Sequence, residues 1–300
     1  MLSINDFKLI TLEDKPIFDK FYKKYPPTHS DYVFTTLISW MQYANYHYLI
    51  YSDNLLIYSH IDGQIRFRPP IGKYKKEVFD EVLKLAEKQE SDYPFGMIDE
   101  NTKKWMEKTY PSFNFFEHRS YFDYVYLATD LAELSGSNYS KIRNRLNKFK
   151  RKHSYSIEKI NKENIDDVKK FLKRWCLWRD CKSDSILDNE RKAILFSMNN
   201  FFKLKLSGIL IRVLEKVEAI SVFEQINDDT AVVHYEKGSP DYDGIYKAIN
   251  QEVANILQKK VRFINRESDM NIPGLRKAKM SYRPDRMIKV YHLYKDSIEI

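Results

Sequence analysis

The order of elements along this chain recurs, and that recurrence limits the folds open to it. In the first half, FKLITLED alternates and then turns acidic, which predicts a strand followed by a helix. Thr28 to Ser30 caps a second helix running from about Asp31 to Tyr43. Tyr46 to Ser52, Asn54 to Ile61 and Gln64 to Arg68 read as three short antiparallel strands, with Asp62-Gly63 as the clearer hairpin turn. An amphipathic helix from Lys75 to Gln89, a strand from Phe95 to Asp99 and a short helix from Thr102 to Lys108 follow. Phe113 to Glu117 with Tyr121 to Tyr126 then read as a further β pair. The second half runs strand (Tyr155 to Ile160), helices (Asn164 to Trp178, Glu190 to Lys203), three antiparallel strands (Leu206 to Leu214, Val217 to Ile226, Thr230 to Glu236), helix (Gly244 to Gln258) and strand (Val261 to Arg266). No residue-level repeat accompanies this order, so what is duplicated is architecture. The expectation is an α+β (mixed α/β) fold of two units, residues 1–138 and 139–300. Each is a mixed, mostly antiparallel sheet flanked by helices.

Charge narrows the partners. The net charge is +8, but residues 139–152, YSKIRNRLNKFKRK, hold seven Lys or Arg and no acid. Residues 259–289 hold ten basic residues against three acids, so each segment carries +7 and the rest of the chain about −6. Two concentrated excesses point to a polyanion: RNA, a phosphate-bearing cofactor or an anionic lipid headgroup. On a helix over 139–152, Tyr139, Ile142, Leu146 and Phe149 share one face and Lys141, Arg145, Lys148 and Lys152 another. The helix is then anchored on one side and free to meet nucleic acid on the other; a solvated surface helix has the same pattern. With 15% aromatic residues the chain should fold, and it has no run of ~18–20 apolar residues that would make an integral membrane segment. Cys176 and Cys181 are five apart, neither a CxxC motif nor a zinc-ligand spacing. They read as reduced thiols of a cytoplasmic protein, and no metal site is expected.

Thr230 to Glu236, the helix after it and Val261 to Arg266 form a βαβ crossover, which joins parallel strands. Their C-terminal ends then share one sheet edge, where open α/β sheets bind ligands. That edge receives His234, Glu236 and Lys237 from one strand and Asn265, Arg266 and Glu267 from the other. By the period of two, His234 and Glu236 point the same way, as do Asn265 and Glu267. A plain internal network, Glu236 with Arg266 and Glu267 with Lys237, is the competing reading, and His234 reads as a satisfied strand histidine rather than a base. Beyond the second strand, Arg276, Lys279 and Arg283 bring three cations beside the same edge, suited to phosphate or carboxylate. Lys277 and Arg286 read as ordinary surface.

At these residues the chain resembles a known family. EKG before the helix with Asn250-Gln251-Glu252, the block INRESDMNIPGLRKAKMSYRPDRMIKVY, the segment LSGSNYSKIRNRLNKFK and FRPPIG are similar to soluble proteins related to the C-terminal catalytic domain of phosphatidylglycerol lysyltransferase. The resemblance covers most of the chain and is most specific over residues 262–291. It implies two tandem GNAT-like acyltransferase units. It also implies relatives that move an aminoacyl group from aminoacyl-tRNA to a lipid headgroup or a peptidoglycan precursor amine. Lysyltransferases add a long membrane-embedded region that has no counterpart here. Acetyl-CoA-dependent members of the fold carry a [QR]xxGx[GA] loop before the helix, where this chain has KGSPDYDGIYKA. That counts against acetyl-CoA and favours a tRNA-borne or other activated donor, with aminoacyl-tRNA or acyl-CoA as the donors in view and an acetyl-CoA-dependent N-acetyltransferase as the less favoured alternative.

The expected activity is therefore acyl transfer, of the aminoacyltransferase kind, to an amine or hydroxyl acceptor such as an anionic lipid or a small amine. Such a reaction needs a positioned nucleophile, a proton acceptor and stabilisation of an oxyanion. Glu236 or Glu267 would accept the proton and Asn265 would donate to the oxyanion. Lys237, Arg266, Arg276, Lys279 and Arg283 would hold a phosphate of donor or acceptor. Lys141, Arg145, Lys148 and Lys152 would grip tRNA. The alternative is a nucleic-acid-binding or regulatory protein that keeps the fold without the reaction. No Walker loop, Rossmann fingerprint, GxSxG elbow, HExxH or zinc quartet supports another enzyme class.

Overall fold

A computed structural model describes residues 2–298. Six strands begin the chain: β1 Lys8–Leu9, β2 His47–Tyr51, β3 Asn54–Ile61, β4 Gln64–Phe67, β5 Phe95–Asp99 and β6 Phe116–Glu117. Seven follow: β7 Asp123–Leu127, β8 Tyr155–Lys159, β9 Ser207–Val213, β10 Lys216–Gln225, β11 Thr230–Gly238, β12 Phe263–Asn265 and β13 Arg286–Ile288. The last strand is β14, Val290–Leu293. They form two seven-stranded sheets, ordered β1-β2-β3-β4-β5-β14-β6 and β13-β7-β12-β11-β10-β9-β8. Both sheets are mostly antiparallel, and the pairs β4 with β5 and β11 with β12 are parallel. The α+β expectation holds, as does the parallel pairing at the βαβ crossover.

The chain divides into two compact units, Met1–Phe122 with Ile288–Ile300 and Asp123–Met287. This corrects the boundary expected at 138/139 at both ends. Tyr121 to Tyr126 does not pair with Phe113 to Glu117. Asp123, Tyr124, Val125 and Tyr126 are all buried, so β7 is an interior strand beside β12, whereas β6 is exposed at the edge of the other sheet. An apolar run buried on both faces cannot serve an exposed edge. At the far end, β14 leaves the second unit and enters the first sheet between β5 and β6.

One expected helix is broken. Asp31 to Tyr43 divides into a 3-10 turn Ser30–Tyr32 and short helices Phe34–Ser39 and Met41–Ala44, with Val33 extended between the first two. The β-branched Val33, Thr35, Thr36 and Ile38 weaken helix continuity there. In the first unit, Lys76–Glu87 covers the sheet with Val78, Phe79, Val82 and Leu83, packed with Phe67, Phe95 and Leu293. In the second, the basic helix Ser140–Lys152 buries Ile142, Leu146 and Phe149 against Ile245, Ile249 and Val253 of the helix Ile245–Leu257. Burying side chains of this size contributes about 1.5–3 kcal/mol each.

Candidate functional site

In β11 the register against β10 slips between Val222 and Phe223, and His234 is the extra residue on the β11 side. A bulge breaks the alternation of a strand. His234 and Glu236 therefore do not share partners, contrary to the period-of-two expectation. The His234 imidazole lies between two carboxylates, with Nδ1 2.8 Å from Glu267 and Nε2 3.0 Å from Glu224. Burial opposes its charge, but these two hydrogen bonds outweigh that and hold the ring up at about 9. Burial also pushes the Glu267 carboxyl up in spite of the imidazole beside it. With an acceptor on each ring nitrogen, His234 is held as the imidazolium.

Glu236 turns toward the helix Ile245–Leu257. Its carboxylate accepts from the Arg266 guanidinium at 3.2 Å, and the Asn250 carboxamide lies within 3.3 Å of both groups. Arg266 also lies over the rings of Tyr282 at 4.9 Å and Tyr126 at 5.7 Å. This is the ion pair that the network reading expected. The other pair it expected is not formed. Lys237 faces the opposite side of the sheet, donates to both Glu190 oxygens at 2.8 Å and sits 4.4 Å from the Trp175 ring centroid.

β12 ends at Asn265, level with Val232, so β11 runs six residues beyond it and the two strand ends are not flush. Asn265 is fully buried. Its amide donates to Asp123 at 2.7 Å and its oxygen accepts from the Glu267 N–H at 2.8 Å. That second bond holds Glu267 in a left-handed conformation, φ 57°, and so aims its carboxylate differently from the Asn265 side chain. Lys279, buried on the helix Pro273–Ser281, donates to the carbonyl oxygens of Arg266, Glu267 (3.0 Å) and Ser268 (2.7 Å). Burial, then the nearby Arg266, bring its amine down to about 8. Arg276 makes a bidentate contact with the buried Asp269, at 2.9 and 3.0 Å, and Asp269 accepts from Tyr124. Arg283 and the four basic-helix residues Lys141, Arg145, Lys148 and Lys152 stay exposed, with Lys148 2.9 Å from Asp243. Of the expected residues, Glu236 and Arg266 are engaged with each other, Glu267, Arg276 and Lys279 with partners of their own nearby, and Lys237 with Glu190 on the other face.

The cysteines correct the thiol expectation. Cys176 and Cys181 form a disulfide. The helix Ile165–Arg179 stops where Asp180 turns left-handed, and that reversal brings Cys181 back toward Cys176, with Cα atoms 5.2 Å apart. The disulfide lines a cleft of about 370 Å³ between this helix and Ser185–Asn199, walled also by Leu172, Trp175, Glu190 and Ile194. Nothing in the residue pattern marked this cleft, because its lining is shared between two amphipathic helices that each read as ordinary core. Among the described residues, no helix is long and apolar enough to cross a membrane, and no cluster of side chains suits a metal ion.

Comparison with known proteins agrees with this architecture. The crystal structure of a conserved protein of unknown function from Bacteroides thetaiotaomicron VPI-5482 is similar at a TM-score of 0.89 and 32% identity, covering 96% of this chain and 98% of that one. The structure of L-PGS from Bacillus licheniformis matches at a TM-score of 0.64 and 13% identity, over 94% of this chain and 91% of that one, a likeness of fold. An uncharacterised protein of Mycoplasmoides gallisepticum is 25% identical over 179 residues, 58% of this chain and 56% of that relative's length. The two sheets are the units of a tandem GNAT-like fold. The family described as phosphatidylglycerol lysyltransferase, C-terminal, matches residues 22–294, and the chain belongs to that family.

Proposed function

We propose that this protein is an acyltransferase of the aminoacyltransferase kind. In this reading it transfers an acyl group from a tRNA-borne or other activated donor to an amine or hydroxyl acceptor. The observation that carries the reading is the family match across nearly the whole chain. Supporting it is the parallel β11–β12 edge with Glu236 and Arg266 beside it. Glu236 is the proposed proton acceptor, held ready by Arg266 and released when an anionic substrate takes the guanidinium. Asn265 and Lys279 are proposed to shape the Arg266–Ser268 segment, Glu267 to fix His234, and Arg276 and Arg283 to flank an anionic substrate, while Lys237, held on the other face by Glu190, takes no part. Lys141, Arg145, Lys148 and Lys152 are proposed to face the tRNA backbone.

The test is transfer of a labelled aminoacyl group from charged tRNA to vesicles containing phosphatidylglycerol, or to small amines, with acetyl-CoA run as a separate donor. Turnover from charged tRNA that Glu236→Gln abolishes supports the reading. Turnover with acetyl-CoA at an ordinary enzymatic rate overturns the choice of donor. The engaged state of Arg266, Glu236, Glu267 and Arg276 favours a second reading, a nucleic-acid-binding protein without the reaction. RNA binding with no turnover from any donor would establish it.

A further inference from the structure

In the first unit, the strand order β4-β5-β14-β6 gathers basic side chains that play no part in the reading above. Arg66 comes from β4, Tyr93 from the approach to β5, His292 from β14, and His118 follows β6. Tyr93 is the hub. The Arg66 guanidinium carbon is 4.3 Å from its ring centroid, and the rings of His292 and His118 are 5.1 and 5.4 Å away. The two imidazoles are 5.0 Å apart. Gly96 of β5 faces His292 and Tyr93 without adding a side chain between them.

Two nitrogens in this group are buried without a hydrogen-bond partner, Arg66 Nε and His292 Nδ1, and His292 is only 6% exposed. A buried donor left unmade is costly, and native structures leave few of them. Burial, then His292 and Arg66, hold the His118 ring down at about 4, and burial lowers His292 as well. A His118 ring whose charge is opposed by burial and by two basic neighbours is an environment that an anion would relieve. Of the acids around the cluster, Glu117 precedes His118 in the chain and is paired with Lys289, Asp92 precedes Tyr93, and Asp62 with Arg66 faces Tyr43. The rim is aromatic, with Phe116 and Tyr294 each 42% exposed and both in contact with His292.

We propose that Arg66, His118 and His292 form a binding site for the phosphate group of a small aromatic phosphate monoester whose ring lies on Phe116 and Tyr294. Three donor groups suit the several oxygens of a phosphate better than the two of a carboxylate, and a guanidinium meets such oxygens with paired N–H groups. The site lies within the first unit and does not depend on the acyl-transfer reading.

Histidine-ring NMR of the full chain tests this, with His118→Gln and His292→Gln used to assign the signals. The probes are phenyl phosphate, inorganic phosphate, acetate and chloride at matched ionic strength. Phenyl phosphate should give saturable shifts at both rings in the millimolar range and raise the midpoint of each titration. Inorganic phosphate should do the same more weakly, and acetate and chloride should not. Arg66→Gln should weaken binding about tenfold, with Arg66→Lys intermediate, since it keeps the charge and loses the fork. Thermal melts establish that both variants fold. Shifts at neither ring, equal shifts with chloride or acetate, or unchanged affinity in a folded Arg66→Gln protein would each overturn the site. Equal affinity for inorganic phosphate and phenyl phosphate would overturn the aromatic part.

Discussion

His234 shows how much of this protein's polar interior is held by single residues. Its ring separates Glu224 from Glu267, and taking it away leaves the two carboxylates without the hydrogen-bonding cation between them. His234→Phe should cost about 3–5 kcal/mol in urea unfolding at pH 7, the range for breaking a buried pair from one side. The sign with pH follows from the raised folded value. The imidazole's contribution is complete below its unfolded value of about 6.5 and is lost as pH rises through about 9. The gap between wild type and His234→Phe should therefore narrow between pH 7 and 10. A gap that widens over that range would mean that the ring is neutral in the fold. Lys279→Met removes the donor to three consecutive carbonyls and should cost about 2–4 kcal/mol, with the loss of protection confined first to amides around Arg266–Ser268. At this scale the residue types at the strand ends were legible, because charged groups ending apolar strands stand out. Their directions were not. The bulge at His234 and the left-handed Glu267 are backbone events with no signature in the alternation, and they decide which carboxylate meets which base.

Among the elements, the basic helix Ser140–Lys152 was the most legible, since its apolar and basic stripes follow from helical spacing alone. Its exposed face makes a quantitative prediction. If four side chains meet phosphates, the logarithm of RNA affinity should fall against the logarithm of salt with a slope of about −3, from ~0.7 per contact on single strands. Arg145→Glu with Lys148→Glu should weaken binding strongly and leave the melting temperature almost unchanged, because exposed charges contribute little to stability. A flat salt dependence in the wild type would remove RNA from the list of partners. The corner after Ile165–Arg179 was misread for a matching reason. Spacing along the chain does not register that Asp180 reverses it. Thiol titration should find no free cysteine in the folded protein until reductant is added. Reduction should cost about 2 kcal/mol, since the closed loop is short.

For the molecule as a whole, the recurring element order located both sheets, while connectivity between them escaped the reading. β7 and β14 are short apolar strands whose sequences show that they are buried but not in which sheet. A chain ended at Lys289 should therefore lose the first unit rather than merely its tail, because β5 and β6 lose the strand between them. Hydrogen exchange should show β5 and β6 unprotected and β9 to β11 still protected; protection kept in β5 would contradict the topology. The same threading sets a timetable for biosynthesis. The residues that complete the first sheet are translated only after the whole of Asp123–Met287. At ~5–20 residues per second that is a wait of roughly 10–30 s. The contiguous second unit is free to fold during that interval, so a sheet begun before it is finished after it.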